Sequence, residues 1–253
     1  MQKEKETKIV LVESWIKAIV GYGILVFWAV GLQAQDLKPF QADSKLWGYK
    51  NQQGEEVIPA KYFRAFLYSN GLAIVQPTSD PVYGFIDPIG NEVISPKFIN
   101  AGPFSEGLAA VELLASAHWG FIDKTGKTVI PFEYKSAGTF SGGLAPVSKI
   151  IKESGQRRWG FIDQKGREII PFQYLQAGNF SEGLAAVCLF VPELEKNRWG
   201  FLDLSGKVVL PFEYEDVVGY SAPVFSEGKA KVWKEGKHIY IDKTGKSLGS
   251  VTY

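Results

Sequence analysis

A five-residue phrase recurs six times along the chain, and everything around it repeats in step. Trp119-Gly120-Phe121-Ile122-Asp123 is its clearest form; Trp159 to Asp163 repeats it, and Trp199-Gly200-Phe201-Leu202-Asp203 changes one residue. Weaker forms begin at Trp47, Tyr83 and His238. Starts at 47, 83, 119, 159, 199 and 238 set a period of 36 to 40 residues. A fixed period of this size means stacked supersecondary units, each too small to bury its own apolar face. The prediction is an all-β fold: tandem repeats of short antiparallel strands, arranged as an open array or as a propeller-like ring. The sixth repeat is partial.

Three segments make up each unit. The phrase itself, aromatic and β-branched, reads as a strand. Three residues after its last position stands a glycine in every copy: Gly54, Gly90, Gly126, Gly166, Gly206 and Gly245. An Asp that bonds the backbone two residues on, followed by a Gly free to adopt positive φ, predicts a tight hairpin turn. The returning strand runs to a proline in four copies, Pro59, Pro131, Pro171 and Pro211. A looser stretch with two aromatics follows, and then a third strand beginning at Gly71, Gly107, Gly143, Gly183 or Gly228. Ala two places on and Val four places on recur in all five (Ala145 and Val147 are one pair), so that face should pack inward. The positions between, lysines 229 and 231 in the last copy, should mark a wet face. By the same alternation Trp119, Phe121 and Asp123 share one face of their strand, and the tryptophans are expected in the core.

The order Trp-Gly-Phe-Ile-Asp, Gly, Val-Ile-Pro, Tyr, Phe-Ser-Glu-Gly-Leu-Ala resembles the WG-repeat family over residues from about 46 to 253. Tyr83 for Trp, His238-Ile239 for Trp-Gly and Lys50-Asn51 for Ile-Asp depart from its pattern. The resemblance implies β-rich repeat modules, often exported and joined to varied partners, and it carries no catalytic residues to transfer.

Composition narrows function by exclusion. With 28 basic and 27 acidic residues the chain offers no bulk attraction to nucleic acid or an anionic membrane. One cysteine, Cys188, cannot build a disulfide framework or a cysteine metal cluster, and two histidines, His118 and His238, lie 120 positions apart. No cofactor and no metal are expected. One Asp per turn supplies too few oxygens for calcium, which takes about six to eight. The expectation is a non-enzymatic binding or scaffolding module, with an unknown protein or glycan as partner.

Partner contacts are expected at connections whose length varies between copies, because insertions in repeat proteins collect on loops. Residues 148–158 hold Lys149, Lys152, Arg157 and Arg158 against Glu153 alone. Glu193 and Glu195, in the next long connection, are the one non-recurrent acidic pair that suits the alternative of a glycan-active hydrolase or lyase. Trp233 recurs in no other copy. A purely structural spacer is the third reading.

Residues 1–35 form a separate segment, ahead of a repeat domain over 36–253. Ala18 to Leu32 is uncharged for fifteen residues, short for a membrane span of about 20 and suited to a signal-peptide core. Export to the periplasm or outside the cell is expected, with a membrane anchor through 18–32 as the alternative if the segment stays uncleaved.

Overall fold

The computed structural model describes residues 37–218 and 221–250, so the segment at 18–32 lies outside the described residues. They fall into two compact units: 37–80 with 85–92, and 81–84 with everything from 93 onward. Among the described residues strands account for nearly all regular structure, with one short 3-10 turn at Pro192–Leu194.

In the first unit β1 (Lys38–Gln41), β2 (Trp47–Lys50) and β3 (Glu56–Tyr62) form an antiparallel sheet in that order. β4 (Arg64–Ser69) and β5 (Leu72–Gln76) pair as a hairpin. Its core gathers Leu37, Tyr49, Ile58, Tyr62, Ala73 and Val75. The strands β6 (Tyr83–Ile86) and β7 (Glu92–Ala101) cross the boundary between the units.

In the second unit β7 is followed by β8 (Ala109–Leu113), β9 (His118–Ile122) and β10 (Thr128–Tyr134), each antiparallel to the last. The next sheet is β11 (Ser136–Ala137), β12 (Leu144–Ile150), β13 (Arg157–Asp163) and β14 (Glu168–Tyr174). Then come β15 (Gln176–Ala177), β16 (Leu184–Val191), β17 (Lys196–Asp203) and β18 (Val208–Glu215). The last sheet is β19 (Phe225–Ser226), β20 (Lys229–Lys234), β21 (Lys237–Asp242) and β22 (Ser247–Ser250). Each is a meander in chain order.

The sheet is out of phase with the sequence repeat. The third strand of one copy pairs with the Trp-Gly hairpin of the next: Val147 lies opposite Gly160, and Val187 opposite Gly200. The connection of variable length is therefore a hairpin inside a sheet, and its extra residues lengthen the strands that carry it, from five residues in β8 to seven in β12 and eight in β16. A single residue, Lys135 or Leu175, joins β10 to β11 and β14 to β15, whereas residues 216–224 separate β18 from β19. The copy that looks partial in sequence ends in a complete four-stranded sheet.

Turn chemistry follows the sequence. Asp123 Oδ1 accepts Thr125 N at 2.9 Å, Thr125 Oγ1 at 2.6 Å and Lys127 N at 3.1 Å, while Gly126 sits at φ 83°. Asp203 and Asp242 repeat this with Ser205 and Thr244. These bonds favour the charged carboxylate. They hold the three groups below the usual carboxylate range, the Thr or Ser hydroxyl contributing most.

The glycine of the Trp-Gly pair has a different cause. Phe121 lies opposite Ile130, but Trp119, two residues back, lies opposite Tyr134, four residues on. The outer strand therefore bulges across Gly120. A Cβ there would meet Ile130 O at 2.7 Å and Phe132 Cδ1 at 3.0 Å; at Gly160 it would meet Ile170 O at 2.7 Å. Pro131 and Pro171 fall within these bulges on outer strands, where a missing N–H is tolerated and sheet extension is discouraged.

Cores lie between successive sheets of the second unit. Phe121 meets Phe140 with ring centroids 4.8 Å apart, Phe161 meets Phe180 at 5.0 Å, and Phe201 meets Phe225 at 5.0 Å. Such pairs add about 0.5–1.5 kcal/mol each beyond their burial. The Ala/Val row packs as expected: Ala145 and Val147 share a core with Phe121, and Ala185 and Val187 share one with Phe161. The alternate positions are not wet in interior strands, since Ala110, Leu144 and Ala186 are also buried. Interior sheets are covered on both faces; only β20 shows the exposed lysines 229 and 231. Trp199 is buried in the core as expected, but the other three tryptophans of the phrase are less central. Trp47, Trp119 and Trp159 are half-buried at core edges, and the buried knob is the aromatic two places later.

Successive turns also interlock. Ser105 Oγ donates to Phe140 O and Ser181 Oγ to Phe225 O, both at 2.7 Å. Glu106 accepts Gly143 N at 3.0 Å, and Glu182 accepts Gly228 N while pairing with Lys243 at 2.9 Å. This explains a glutamate held at φ 52° in each of those turns. Gly142 replaces the acid where Leu204 would lie 2.8 Å from a Cβ.

Candidate functional site

The hairpin tips at 114–117, 151–156, 192–195 and 235–236 occupy equivalent places in consecutive sheets of the second unit, and so share one edge. The sequence-predicted basic residues sit on the 151–156 hairpin or its arms. Arg157 is committed to the frame: its Nε donates to Ser148 Oγ at 2.9 Å and its Nη2 to Ser136 Oγ at 2.5 Å, with the guanidinium 5.5 Å from the Trp159 ring. Arg158 donates to Arg157 O and to Gln156 Oε1. Lys152 is exposed at the tip. Lys149 lies 3.8 Å over the Phe172 ring and 3.3 Å from Glu168 Oε2.

Beneath this hairpin lies a groove of about 430 Å³, lined by His118, Glu133, Tyr134, Lys135, Lys149 and Phe172 among others. A second hollow of about 410 Å³ adjoins it through Lys149, Ile150, Glu168 and Phe172 and reaches Lys152. His118 has both ring nitrogens engaged: Nδ1 is 2.6 Å from Ser116 O and Nε2 is 3.0 Å from Lys135 Nζ. The carbonyl needs a donor and the ammonium an acceptor, which assigns the neutral Nδ1–H tautomer. His118 thus bridges Ser116 and Lys135 and orients the ammonium. Burial, and then Glu133, push the Tyr134 phenol above its ordinary value, so it stays protonated.

Glu193 and Glu195 are exposed on the 3-10 turn, which Glu195 closes at φ 49° with its N–H on Pro192 O. Trp233 is half-buried and meets His238 edge to face, with ring centroids 4.3 Å apart. The structure thus places Lys149 and Lys152 on one groove and Trp233 in a different place. Sequence reasoning named His118 only to set it aside for catalysis and missed Lys135 and Phe172, although Lys135 stands where other copies have Phe63, Ile99, Leu175 and Glu215. Among the described residues no group of three or more His, Cys, Asp or Glu converges as a metal site.

Chain-ordered antiparallel sheets packed one on the next define an all-β repeat protein. The β-propeller domain of the Trilobed protease from Pyrococcus furiosus is similar at a TM-score of 0.52 and 10% identity, over 86% of this chain and 80% of that one. Kluyveromyces lactis Hsv2 is similar at a TM-score of 0.52 and 9% identity, over 83% of this chain and 72% of that one. At these identities the likeness is one of fold alone. No curated protein matches in sequence. The WG containing repeat matches residues 47–76, 83–113, 119–149, 159–189 and 199–237. The chain belongs to the WG-repeat family.

Proposed function

We propose that the chain is a non-enzymatic, exported binding module that holds a protein partner on the edge of hairpin tips, centred on the groove beneath residues 151–156. One observation carries this reading. Lys135 and Lys149 stand where the next copy has Leu175 and Leu189, so a position otherwise filled by packing becomes an open groove with two oriented ammonium groups. Ile150, 44% exposed, and Phe172 supply apolar surface between them. A mixed aromatic, aliphatic and cationic surface is the make-up of a protein interface.

Crosslinking and pull-down from the host envelope with the parent chain and a Lys149→Ala/Lys152→Ala variant tests it. The variant should lose the captured partner at an unchanged melting midpoint, because an exposed pair such as Lys149–Glu168 contributes about 0–1 kcal/mol. Undiminished capture would overturn the proposal. Export rests on residues 18–32 acting as a secretion signal, and an intact Met1 on protein recovered in soluble form from the host would refute it.

A further inference from the structure

The last sheet departs from the repeat in four ways. The segment before it, from Glu215 to Val224, is five residues longer than its counterparts. Trp233 stands where earlier copies have Gln76, Glu112, Ser148 and Cys188. Lys231 stands in the place of Ile74, Ala110, Pro146 and Ala186, and His238 replaces the tryptophan that opens the phrase. In the structure these departures meet. Glu215, Ser221, Lys231, Trp233 and His238 line one cavity of about 200 Å³, with Trp199 from the preceding sheet. Function in repeat folds lives in sites grafted onto the frame, and four departures converging on one hollow fit that description.

The walls set the ligand chemistry. Trp199 is 3% exposed, packed in the core and held through its Nε1 to Asp216 Oδ1 at 3.1 Å, so it closes the back of the cavity, and the half-buried Trp233 is the indole with surface to meet a ligand. The perpendicular contact with His238 fixes the plane of Trp233. Burial, and then Lys231, hold His238 below the ordinary imidazole value, so the ring is neutral near pH 7. Glu215, Lys231 and Ser221, which carry a carboxylate, an ammonium and a hydroxyl, complete the lining. A charged ligand would meet a like charge whichever its sign. A flat hydrocarbon ring would strip water from three polar groups without replacing their hydrogen bonds. A pyranose offers an apolar C–H face to indole and a periphery of hydroxyls that both donate and accept. The volume is below the ~300 Å³ at which drug-sized ligands begin to fit, which suits one ring.

We propose that this cavity is a subsite for a single neutral sugar residue, stacked on Trp233, with Glu215 and Lys231 taking its hydroxyls. It shares with the proposed function only the idea of a binding module and does not depend on the hairpin groove.

Saturation-transfer NMR on the full chain tests it, with the methyl glycosides of glucose, galactose, mannose and N-acetylglucosamine as probes. At least one should show transfer, and its affinity should fall tenfold or more in Trp233→Ala and in Glu215→Gln, with Trp233→Phe keeping most of it. The Lys149→Ala/Lys152→Ala variant should bind the sugar as the parent does, so each proposal can fail without the other. No transfer from any of the four sugars overturns the subsite, as does undiminished binding by Trp233→Ala. Should Trp233→Ala unfold, Glu215→Gln decides by the same criterion.

Discussion

Replacing Gly160 with alanine probes the cause of the Trp-Gly pair directly. Gly160 is not among the glycines at positive φ, so its need for glycine is steric. A Cβ would meet Ile170 O at 2.7 Å, Phe172 N at 3.0 Å and Phe172 Cγ at 3.1 Å. The first two contacts are backbone, so the bulge itself must move. Overpacking of this kind costs about 1–3 kcal/mol, and the stiffer unfolded chain offsets about 0.4–1 kcal/mol of it. A net loss of about 1–2 kcal/mol lowers the melting midpoint by roughly 2–8 °C in a chain of this length. Gly102 is the matched control: it too is absent from the positive-φ glycines, and the nearest atom to its Cβ would be Ala110 O at 3.5 Å. Gly102→Ala should therefore raise the midpoint slightly, by the unfolded-state term alone. Circular dichroism melts and urea titrations of both variants read the two signs. A Gly160→Ala protein as stable as the parent, or equal shifts in both variants, would refute the steric account.

Stability should fall on the acid side. Asp123, Asp203 and Asp242 are depressed chiefly by their turn hydroxyls, and Glu182 chiefly by Lys243. A depressed folded-state pKa means that the contribution is complete above the ordinary carboxylate value, near 4, and is lost as pH drops through the folded value. The midpoint should be level from about pH 5 to 7, fall below about pH 4, and fall less in Asp203→Asn; equal midpoints at pH 3 and 7 would contradict this. Cys188 is 0% exposed, and burial, with Asp216 second, pushes its thiol up to about 12. An aromatic disulfide reagent at pH 8 should label it only in urea, and rapid labelling of the folded chain would show the site to be open.

Features governed by neighbours in sequence were legible there. The Asp-to-Gly turns, the Ala/Val row and the shared face of Trp119 and Phe121 all follow from bonds or alternation within a few residues. Features governed by the partner strand were not. Nothing local announces that Gly120 lies under a bulge; the trace is only that Ile130 and Tyr134 are four apart while their partners Phe121 and Trp119 are two apart. The wet face was misjudged because it was read from the last copy, where Lys229 and Lys231 are exposed, whereas Ala110 and Ala186 are buried between sheets of the second unit. Tryptophan burial was overstated for Trp47, Trp119 and Trp159, where one side of the indole meets water at the edge of the sheet, and was read correctly for Trp199. At the grooves, Lys135 was visible as an exception to Phe63, Ile99 and Leu175, but its meeting with His118 and Lys149 depends on which strands adjoin.

Because each four-stranded sheet draws two strands from one copy and two from the next, the natural points at which to divide the polypeptide are not the points where its text repeats. A chain stopped at Arg158, on the brink of a new phrase, would strand β12 beside most of an absent partner and leave a bare ribbon edge. One stopped at Lys135 would end on finished sheets, every ladder closed. The seam of the molecule runs through single residues such as Lys135 and Leu175, which no reading of the motif would single out as borders.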